Sequence, residues 1–162
     1  MKYRYSRINS PVGVLHLLSN SKKLVALVFD SGWREYRKKN SFDLIEMKDS
    51  VIKATEKQLK EYFSGERTEF DIPLEFQGTE FQTEVWKSLL SIPYGKTVSY
   101  ADQAKAIKNP KAIRAVGGAN GKNKICIIVP CHRVVGQNGS LTGFAGGIHI
   151  KEQLLSLEKA IL

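Results

Sequence analysis

The apolar positions along this chain change period near its middle. Early on they fall in short dense runs: Val12–Leu18 and Leu24–Phe29 are separated by Ser19-Asn20-Ser21-Lys22-Lys23, a stretch of turn formers. Runs of that length and composition predict two strands joined by a hairpin turn. From Ser50 to Phe63 the spacing lengthens. Val51, Ile52, Thr55, Leu59, Tyr62 and Phe63 share a helical face, with Ser50 as its cap and Gly65 beyond its end. Residues 66–78 carry turn formers and Pro73 and read as a linker. Residues 1–75 therefore predict a small antiparallel-sheet domain with one helix, and residues 76–162 a second, mostly helical domain.

That second part opens with Thr79-Glu80-Phe81-Gln82, the form of a capping box, and Phe81, Val85 and Leu89 mark one face of the helix it would start. Ile92-Pro93-Tyr94-Gly95-Lys96 breaks that helix. Ser99-Tyr100-Ala101-Asp102 repeats the cap logic and puts Tyr100 in the first turn of a second helix. Asn109-Pro110 predicts a third, capped by Asn109 and running from Pro110 to about Ala119. Ile113 and Val116 would face a core, and Arg114 would point elsewhere. One turn on from Arg114 come Gly117 and Gly118, costly inside a helix, while Ala112, Ala115 and Ala119 keep the rest small. Close helix packing explains such a stripe. So does close approach of backbone to a narrow groove of nucleic acid, with Arg114 as the one long projecting group. Three short helices with a tight turn between them suggest a helix-turn-helix arrangement. A last helix is predicted from Ile148 to Ile161, its apolar stripe made by Ile150, Leu154, Leu157 and Ile161. Glu158 sits at the edge of that stripe. It reads either as a solvated carboxylate or as one half-buried where it could hold a His ring in one tautomer.

The apolar run Ile125 to Val129 reads as a buried strand that Pro130 ends, since proline has no N–H for the ladder. Cys131 and His132 follow at once. A thiol is a strong nucleophile only as thiolate, and a nearby imidazole is a common way to make one. Adjacent side chains in a strand point to opposite faces, so a direct Cys131–His132 bond needs a turn or helical start; a bridging water serves equally well. Buried cysteines are usually structural. Cys126, inside the apolar run, fits that plainer reading, whereas Pro130 and the polar flanks favour a reactive Cys131.

Composition narrows the field. No stretch approaches the ~20 apolar residues of a membrane span, and the N-terminal residues do not lead into a signal-peptide core. Two Cys five residues apart make no disulfide framework, which favours a reducing interior, cytoplasmic or, in a eukaryote, nuclear. His16, His132 and His149 are scattered, with no zinc-ligand spacing. The net charge is +9, and its placement matters more than its size. Between Trp86 and Arg133 lie nine Lys or Arg and one acid, Asp102, whereas the first 75 residues hold 14 bases and 11 acids. A one-sided excess of this kind favours a polyanion partner, most simply nucleic acid.

Several motifs in order now add up. Arg114-Ala115-Val116-Gly117-Gly118-Ala119, Pro130-Cys131-His132-Arg133-Val134, Gly143-Phe144-Ala145-Gly146-Gly147, and Lys151-Glu152 through Leu154-Leu155 to Glu158 together resemble the O6-alkylguanine-DNA alkyltransferases, also called methylated-DNA–protein-cysteine methyltransferases. The resemblance is close over about residues 79 to 159 and loose before that. It implies an α+β fold, with a ribonuclease-H-like N-terminal domain and a C-terminal domain carrying a winged helix-turn-helix-like DNA-binding motif. It also implies direct-reversal DNA repair. Cys131 would accept the alkyl group from O6 of guanine, and from O4 of thymine, in double-stranded DNA, giving a stable thioether once per molecule. His132 would act as base through a water, Glu158 would orient His132, and Asn123 would brace the turn. Arg114 would fill the place of a flipped-out nucleotide, from a helix whose Ala115, Gly117 and Gly118 lie against the DNA. Tyr100 would assist flipping and donate to guanine N3. Phe144, Ala145 and Gly146 would cover the base, the Ala145 N–H reaching O6, while the carbonyls of Cys131 and Val134 receive its exocyclic amine. A monomer with no cofactor and no metal is expected.

The chain departs from the family pattern in two places. Some members have Tyr-Ser where this chain has Phe144-Ala145, so a hydroxyl is lost and the substrate range is in question. The N-terminal part lacks the Cys and extra His that hold structural zinc in some relatives. Two other function classes fit some of the residues: a Cys131–His132–Glu158 hydrolase or acyltransferase, which leaves the Arg114 helix unexplained, and a non-catalytic alkylated-DNA lesion-binding protein, against which the presence of Cys131 argues.

Overall fold

The computed structural model describes residues 2–160, arranged as two compact units, the first ending at Phe76 and the second starting at Gln77. In the first, strands β1 (Lys2–Ile8), β2 (Leu15–Ser19), β3 (Leu24–Phe29) and β4 (Asp43–Glu46) form one sheet in the order β3-β2-β1-β4. β2 and β3 are the expected antiparallel hairpin. Its turn is shaped by Asn20, whose side-chain oxygen accepts the N–H groups of Lys22 and Lys23. Every residue of β2 and β3 is buried, so both faces of these strands are covered and the sequence reads as a continuous apolar run. β1 buries Tyr3 and Tyr5 between polar and basic neighbours. It pairs antiparallel with β2 but parallel with β4, which makes the sheet mixed, not antiparallel throughout.

Two helices cover this sheet where one was expected. Helix α1 (Asp30–Lys39) packs on β3 and β2; helix α2 (Ser50–Phe63) packs on β2 and β1. In α1 only Tyr36 is buried, so no apolar stripe announces it. The cap of α2 is Asp49, whose carboxylate accepts the Ile52 N–H, and Ser50 is the first helical residue. An Asp one residue earlier does the same job with a charge that the helix N-terminus favours. Gly65 ends α2 at φ 84°: its N–H reaches Tyr62 O at 3.1 Å and the Glu66 N–H reaches Glu61 O at 2.8 Å, a Schellman closure. The expected linker is partly tied down. Pro73 O accepts the Leu24 N–H at 2.8 Å and Leu24 O accepts the Glu75 N–H at 3.0 Å, so this stretch lies along the start of β3.

The second unit contains helices α3 (Glu80–Leu89), α4 (Tyr100–Ala106), α5 (Ile113–Gly121) and α6 (Ile148–Leu157). Both expected capping boxes are present, Thr79 with Gln82 and Ser99 with Asp102, and Tyr100 is the first residue of α4. Helices α3, α4 and α5 pack on one another. Trp86 Nε1 donates to Ala119 O at 2.8 Å. The amides of Gln103 and Asn120 bond each other reciprocally at 3.0 and 2.7 Å, which satisfies two buried polar side chains at the α4–α5 contact. Two-residue strands β5 (Val98–Ser99) and β6 (Val134–Val135) pair in parallel. This pairing joins the start of α4 to the residue just after the Cys131-His132-Arg133 turn.

Three expectations change here. Helix α5 begins at Ile113, not Pro110; residues 109–112 form a turn in which the Ala112 N–H bonds Asn109 O at 3.0 Å. Starting late rotates Ile113 outward, to 44% exposure, while Val116 is buried as expected. Residues 125–129 are buried but are not a strand. They coil tightly, with the Val129 N–H on Ile125 O at 3.0 Å and Ile127 held at φ 71°. An unbroken apolar run cannot distinguish a buried strand from a buried turn, because both leave no polar face. Finally, α6 ends at Leu157 with Glu158 as its C-cap, and Ile161 lies outside the described residues.

Candidate active site

Cys131 opens a single 3-10 turn, Cys131–Arg133, that follows the coil of residues 125–129. It is a helical start, the geometry that lets adjacent side chains serve one site. Asn123 organises the coil from within. Its Oδ1 accepts the Ile125 N–H at 3.0 Å, and its Nδ2 donates to Val129 O at 2.8 Å and to Cys131 Sγ at 3.3 Å. Cys126 is buried at 1% exposure, and its thiol donates to Asn123 O at 3.7 Å. The neighbouring Cys126 thiol is the largest influence holding Cys131 below the ordinary thiol range; the Asn123 amide and the Lys151 charge add to it, and burial opposes it. Cys131 in turn, with burial, pushes Cys126 well up. A residue that the sequence offered as core filler therefore acts on the neighbouring sulfur.

His132 is fully buried, and its Nε2 lies 2.7 Å from Glu158 Oε2. With the Nε2 proton on that bond, Nδ1 is left as a bare acceptor, and it has no hydrogen-bond partner in the protein. Burial holds the imidazole below its usual range, against the pull of Glu158. Glu158, itself 2% exposed, accepts from Arg133 twice, Nε on Oε1 at 2.8 Å and Nη2 on Oε2 at 3.1 Å. Arg133 Nη1 donates to Ile92 O at 2.7 Å, and its guanidinium carbon lies 5.8 Å from the Tyr94 ring centre. The half-buried carboxylate anticipated at position 158 is in fact wholly buried and neutralised by an arginine. Arg133 is the group that the sequence reading missed, having counted it with the surface bases.

Lys151 was missed too. It is buried completely, and its Nζ donates to Val134 O at 2.6 Å and Thr142 O at 3.0 Å. Tyr100 shares that second acceptor, its hydroxyl donating to Thr142 O at 3.3 Å, and Lys151 Nζ lies 5.9 Å from the Tyr100 ring centre. Lys151 thus ties together the residue following the 3-10 turn, the loop beyond it and the first turn of α4. Periodicity gave one available signal: position 151 lies one turn before Leu154 and Leu155 on the buried side of α6.

Most of the remaining expected residues lie at least partly exposed, and Val134 does not. Arg114, Ala115 and Gly118 on α5 are exposed, and Gly117 is half-buried beside Tyr100, where a Cβ would sit 3.8 Å from the ring. A Cβ at Gly118 would meet nothing within 4 Å, so internal packing does not require glycine there. Of the nine bases between Trp86 and Arg133, seven are exposed, Lys124 is half-buried and Arg133 is buried. Phe144, Ala145 and Gly146 lie in the loop before α6, where the Gly147 N–H bonds Phe144 O at 2.9 Å, and Val134 is buried. Among the described residues no group of three or more His, Cys, Asp or Glu is placed to hold a metal ion, and no helix is long and apolar enough to cross a membrane.

A buried thiol held by an amide lies beside an imidazole bonded to a carboxylate, in the same unit as the exposed Arg114 and small residues of α5; this arrangement is that of a class with a cysteine nucleophile. Comparison with known proteins makes the class specific. The model for "6-O-methylguanine DNA methyltransferase, DNA binding domain" matches residues 80–160, and that for its ribonuclease-like domain matches residues 3–76. A methylated-DNA–protein-cysteine methyltransferase of Methanosarcina mazei is 50% identical over 155 residues, 96% of each chain. The constitutive enzyme of that name from Bacillus subtilis is 43% identical, covering 96% of this chain and 94% of that one. The structure of Mycobacterium tuberculosis OGT in complex with DNA superposes with a TM-score of 0.85 at 46% identity, covering 98% of this chain and 93% of that one. The chain belongs to the 6-O-methylguanine DNA methyltransferase family.

Proposed function

We propose that this protein repairs double-stranded DNA by moving the alkyl group of O6-alkylguanine, and secondarily of O4-alkylthymine, onto Cys131 once and irreversibly. The observation that carries this reading is His132: buried, bonded to Glu158 through Nε2, with Nδ1 a free acceptor next to a thiol held below its ordinary range. The target atom of an alkylated base in a duplex is out of reach, so the nucleotide turns out of the stack. Arg114 takes its place, projecting from the α5 face whose small Ala115, Gly117 and Gly118 admit the backbone close to the groove. Tyr100 assists the flip and gives its hydroxyl hydrogen bond to guanine N3.

Cys131 gives its proton to His132 Nδ1 through a water, and Glu158 supports the charge that forms there. The sulfur then attacks the alkyl carbon in line: the S–C bond forms, the C–O6 bond breaks, and guanine leaves with the electron pair. Donation from Tyr100 lets it leave as a neutral base. Phe144, Ala145 and Gly146 cover the flipped base, with the Ala145 N–H at O6 and the carbonyls of Cys131 and Val134 at the exocyclic amine. Asn123 keeps the sulfur aimed. No group in the site returns a thioether to a thiol, so the protein acts as a reagent. It works as a monomer, without cofactor or metal, in the compartment that holds the cell's DNA and keeps thiols reduced, the cytoplasm or a nucleus.

The test is to incubate the protein with a duplex containing one O6-methylguanine and determine the mass of both. The protein should gain one methyl on the peptide containing Cys131 while the oligonucleotide loses one. Repeated turnover would point to a hydrolase, and binding without transfer to a lesion-binding protein.

A further inference from the structure

The buried charges around Cys131 do not cancel among the fixed ions. Arg133 and Glu158 neutralise each other through two hydrogen bonds. His132 is held neutral by burial. That leaves Lys151, an ammonium with 0% exposure whose acceptors are two backbone carbonyls, with no carboxylate within ion-pairing distance among the described residues. An ammonium taken out of water without a counter-charge costs several kcal/mol, and proteins rarely tolerate one unless an anion is near. Among the described residues, the nearby group that can supply a negative charge without an existing cationic partner is the Cys131 sulfur. Lys151 binds the carbonyl of Val134, three residues along from Cys131 and just after its turn. Each group acts on the other: the ammonium favours the thiolate, and the sulfur favours the ammonium against burial, which otherwise lowers the lysine.

We propose that Lys151 is the counter-charge of the Cys131 thiolate, a positioning residue that acts through the sulfur. This deepens the repair reading and rests on it, since a thiolate is needed only if Cys131 attacks. Once the proton passed to His132 has left the site, Arg133 and Lys151 face Glu158 and the Cys131 thiolate, two charges of each sign. When the sulfur takes an alkyl group it becomes a neutral thioether, and Lys151 loses its counter-charge. The ionisation of the two groups is therefore linked, and the linkage ends with the reaction.

The test uses the whole protein and iodoacetamide, an uncharged alkylating agent that needs no DNA: S–C forms, C–I breaks and iodide leaves. Modification at Cys131 is followed by peptide mass against pH. Cys126, His132, Arg133, Glu158 and Tyr100 also face these two groups and are kept intact. Removing a nearby cation disfavours the thiolate, so in Lys151→Met the reactivity midpoint should move up by about one pH unit. Lys151→Arg should restore it, because a guanidinium keeps the charge. An unmoved midpoint in Lys151→Met, or an Arg variant that behaves like Met, would overturn the proposal. If the variants do not fold, the wild type alone decides. With 13C-labelled lysine, the NMR titration of Lys151 should shift to lower pH once Cys131 is alkylated, and an unchanged titration would overturn the proposal. Neither reading involves a damaged base, so failure of DNA repair would leave both intact and would be recognised separately.

Discussion

The Cys131 pocket and the outer face of α5 belong to the same unit and are built in opposite ways. In the pocket, Cys131, His132, Arg133, Lys151 and Glu158 are all buried, and each is held by at least one hydrogen bond. On α5, Arg114 and Ala115 are exposed, and no internal contact calls for glycine at 118. A reactive sulfur needs fixed neighbours in a low dielectric, because that is where a charge or a donor has its strongest effect. A surface that meets a long polyanion needs the reverse: charges in water, and little bulk between them. Damage to the pocket should therefore abolish chemistry or stability, whereas damage to the face should weaken only the handling of DNA.

The largest effect is expected from Cys131→Ser, which should eliminate transfer, since a serine hydroxyl at this position is a far weaker nucleophile than a thiolate. Duplex binding, measured by fluorescence anisotropy, should persist. Next comes Glu158→Gln. It leaves a buried Arg133 without its counter-charge and one acceptor oxygen where Arg133 and His132 use two, so denaturant melts should show a loss of about 3–5 kcal/mol and the surviving protein should transfer slowly. A stability equal to wild type would mean that the ion cluster is not what holds the turn to α6. Arg114→Ala should leave melting unchanged but slow repair of a duplex on the order of tenfold, with less effect on a single strand whose base is already unstacked. Equal rates on both substrates would remove Arg114 from the flipping step.

The smallest effect concerns pH and again separates the two regions. Burial depresses His132, so its neutral form survives below the usual imidazole range. A group whose folded pKa is lowered contributes stability that is fully present above its unfolded value, about 6.5, and lost as the pH falls through the lowered value. Transfer and stability should thus both hold above about pH 6.5; below it stability should decline first, as the unfolded imidazole takes up its proton, and transfer should fall only as the pH reaches the lowered folded value, as followed by parallel melts and single-turnover rates. Duplex binding should respond instead to salt, weakening as counterion release becomes less favourable. If transfer fell around pH 6.5 while stability held, His132 would be titrating as an exposed imidazole does.

The contrast also explains what was legible in the chain. The capping boxes were readable because each depends on a few nearby residues: Thr79 with Gln82 and Ser99 with Asp102 form the boxes their sequence implies, whereas the single-residue caps expected at Ser50 and Asn109 gave way to Asp49 and to a helix starting at Ile113. The basic face was readable because an exposed surface writes its charge directly into composition. Buried ions were not. Arg133 and Lys151 look like any other surface bases in a list of letters, and only the fold reveals that each is enclosed. The Cys126 thiol was passed over for a similar reason, since its partner sulfur is brought close by a coil with Ile127 at φ 71° that no periodicity announces. Helix α1 and strand β4 escaped because the first buries a single residue and the second none. The Cys131–His132 pair was legible in the residues and Glu158 was one of two readings there, whereas the brace at Asn123 came from resemblance; the hydrogen bonds Asn123–Cys131 and His132–Glu158 support the proposed roles.

The central claim is that Cys131 is consumed in a single transfer. It is tested most directly by counting methyl groups moved from a large excess of O6-methylguanine duplex as the reaction runs to its end. The account predicts a plateau at one methyl per protein molecule, all of it on the Cys131 peptide and none in Cys131→Ser. A count that keeps rising past one, or a methyl found on Cys126 instead, would contradict it.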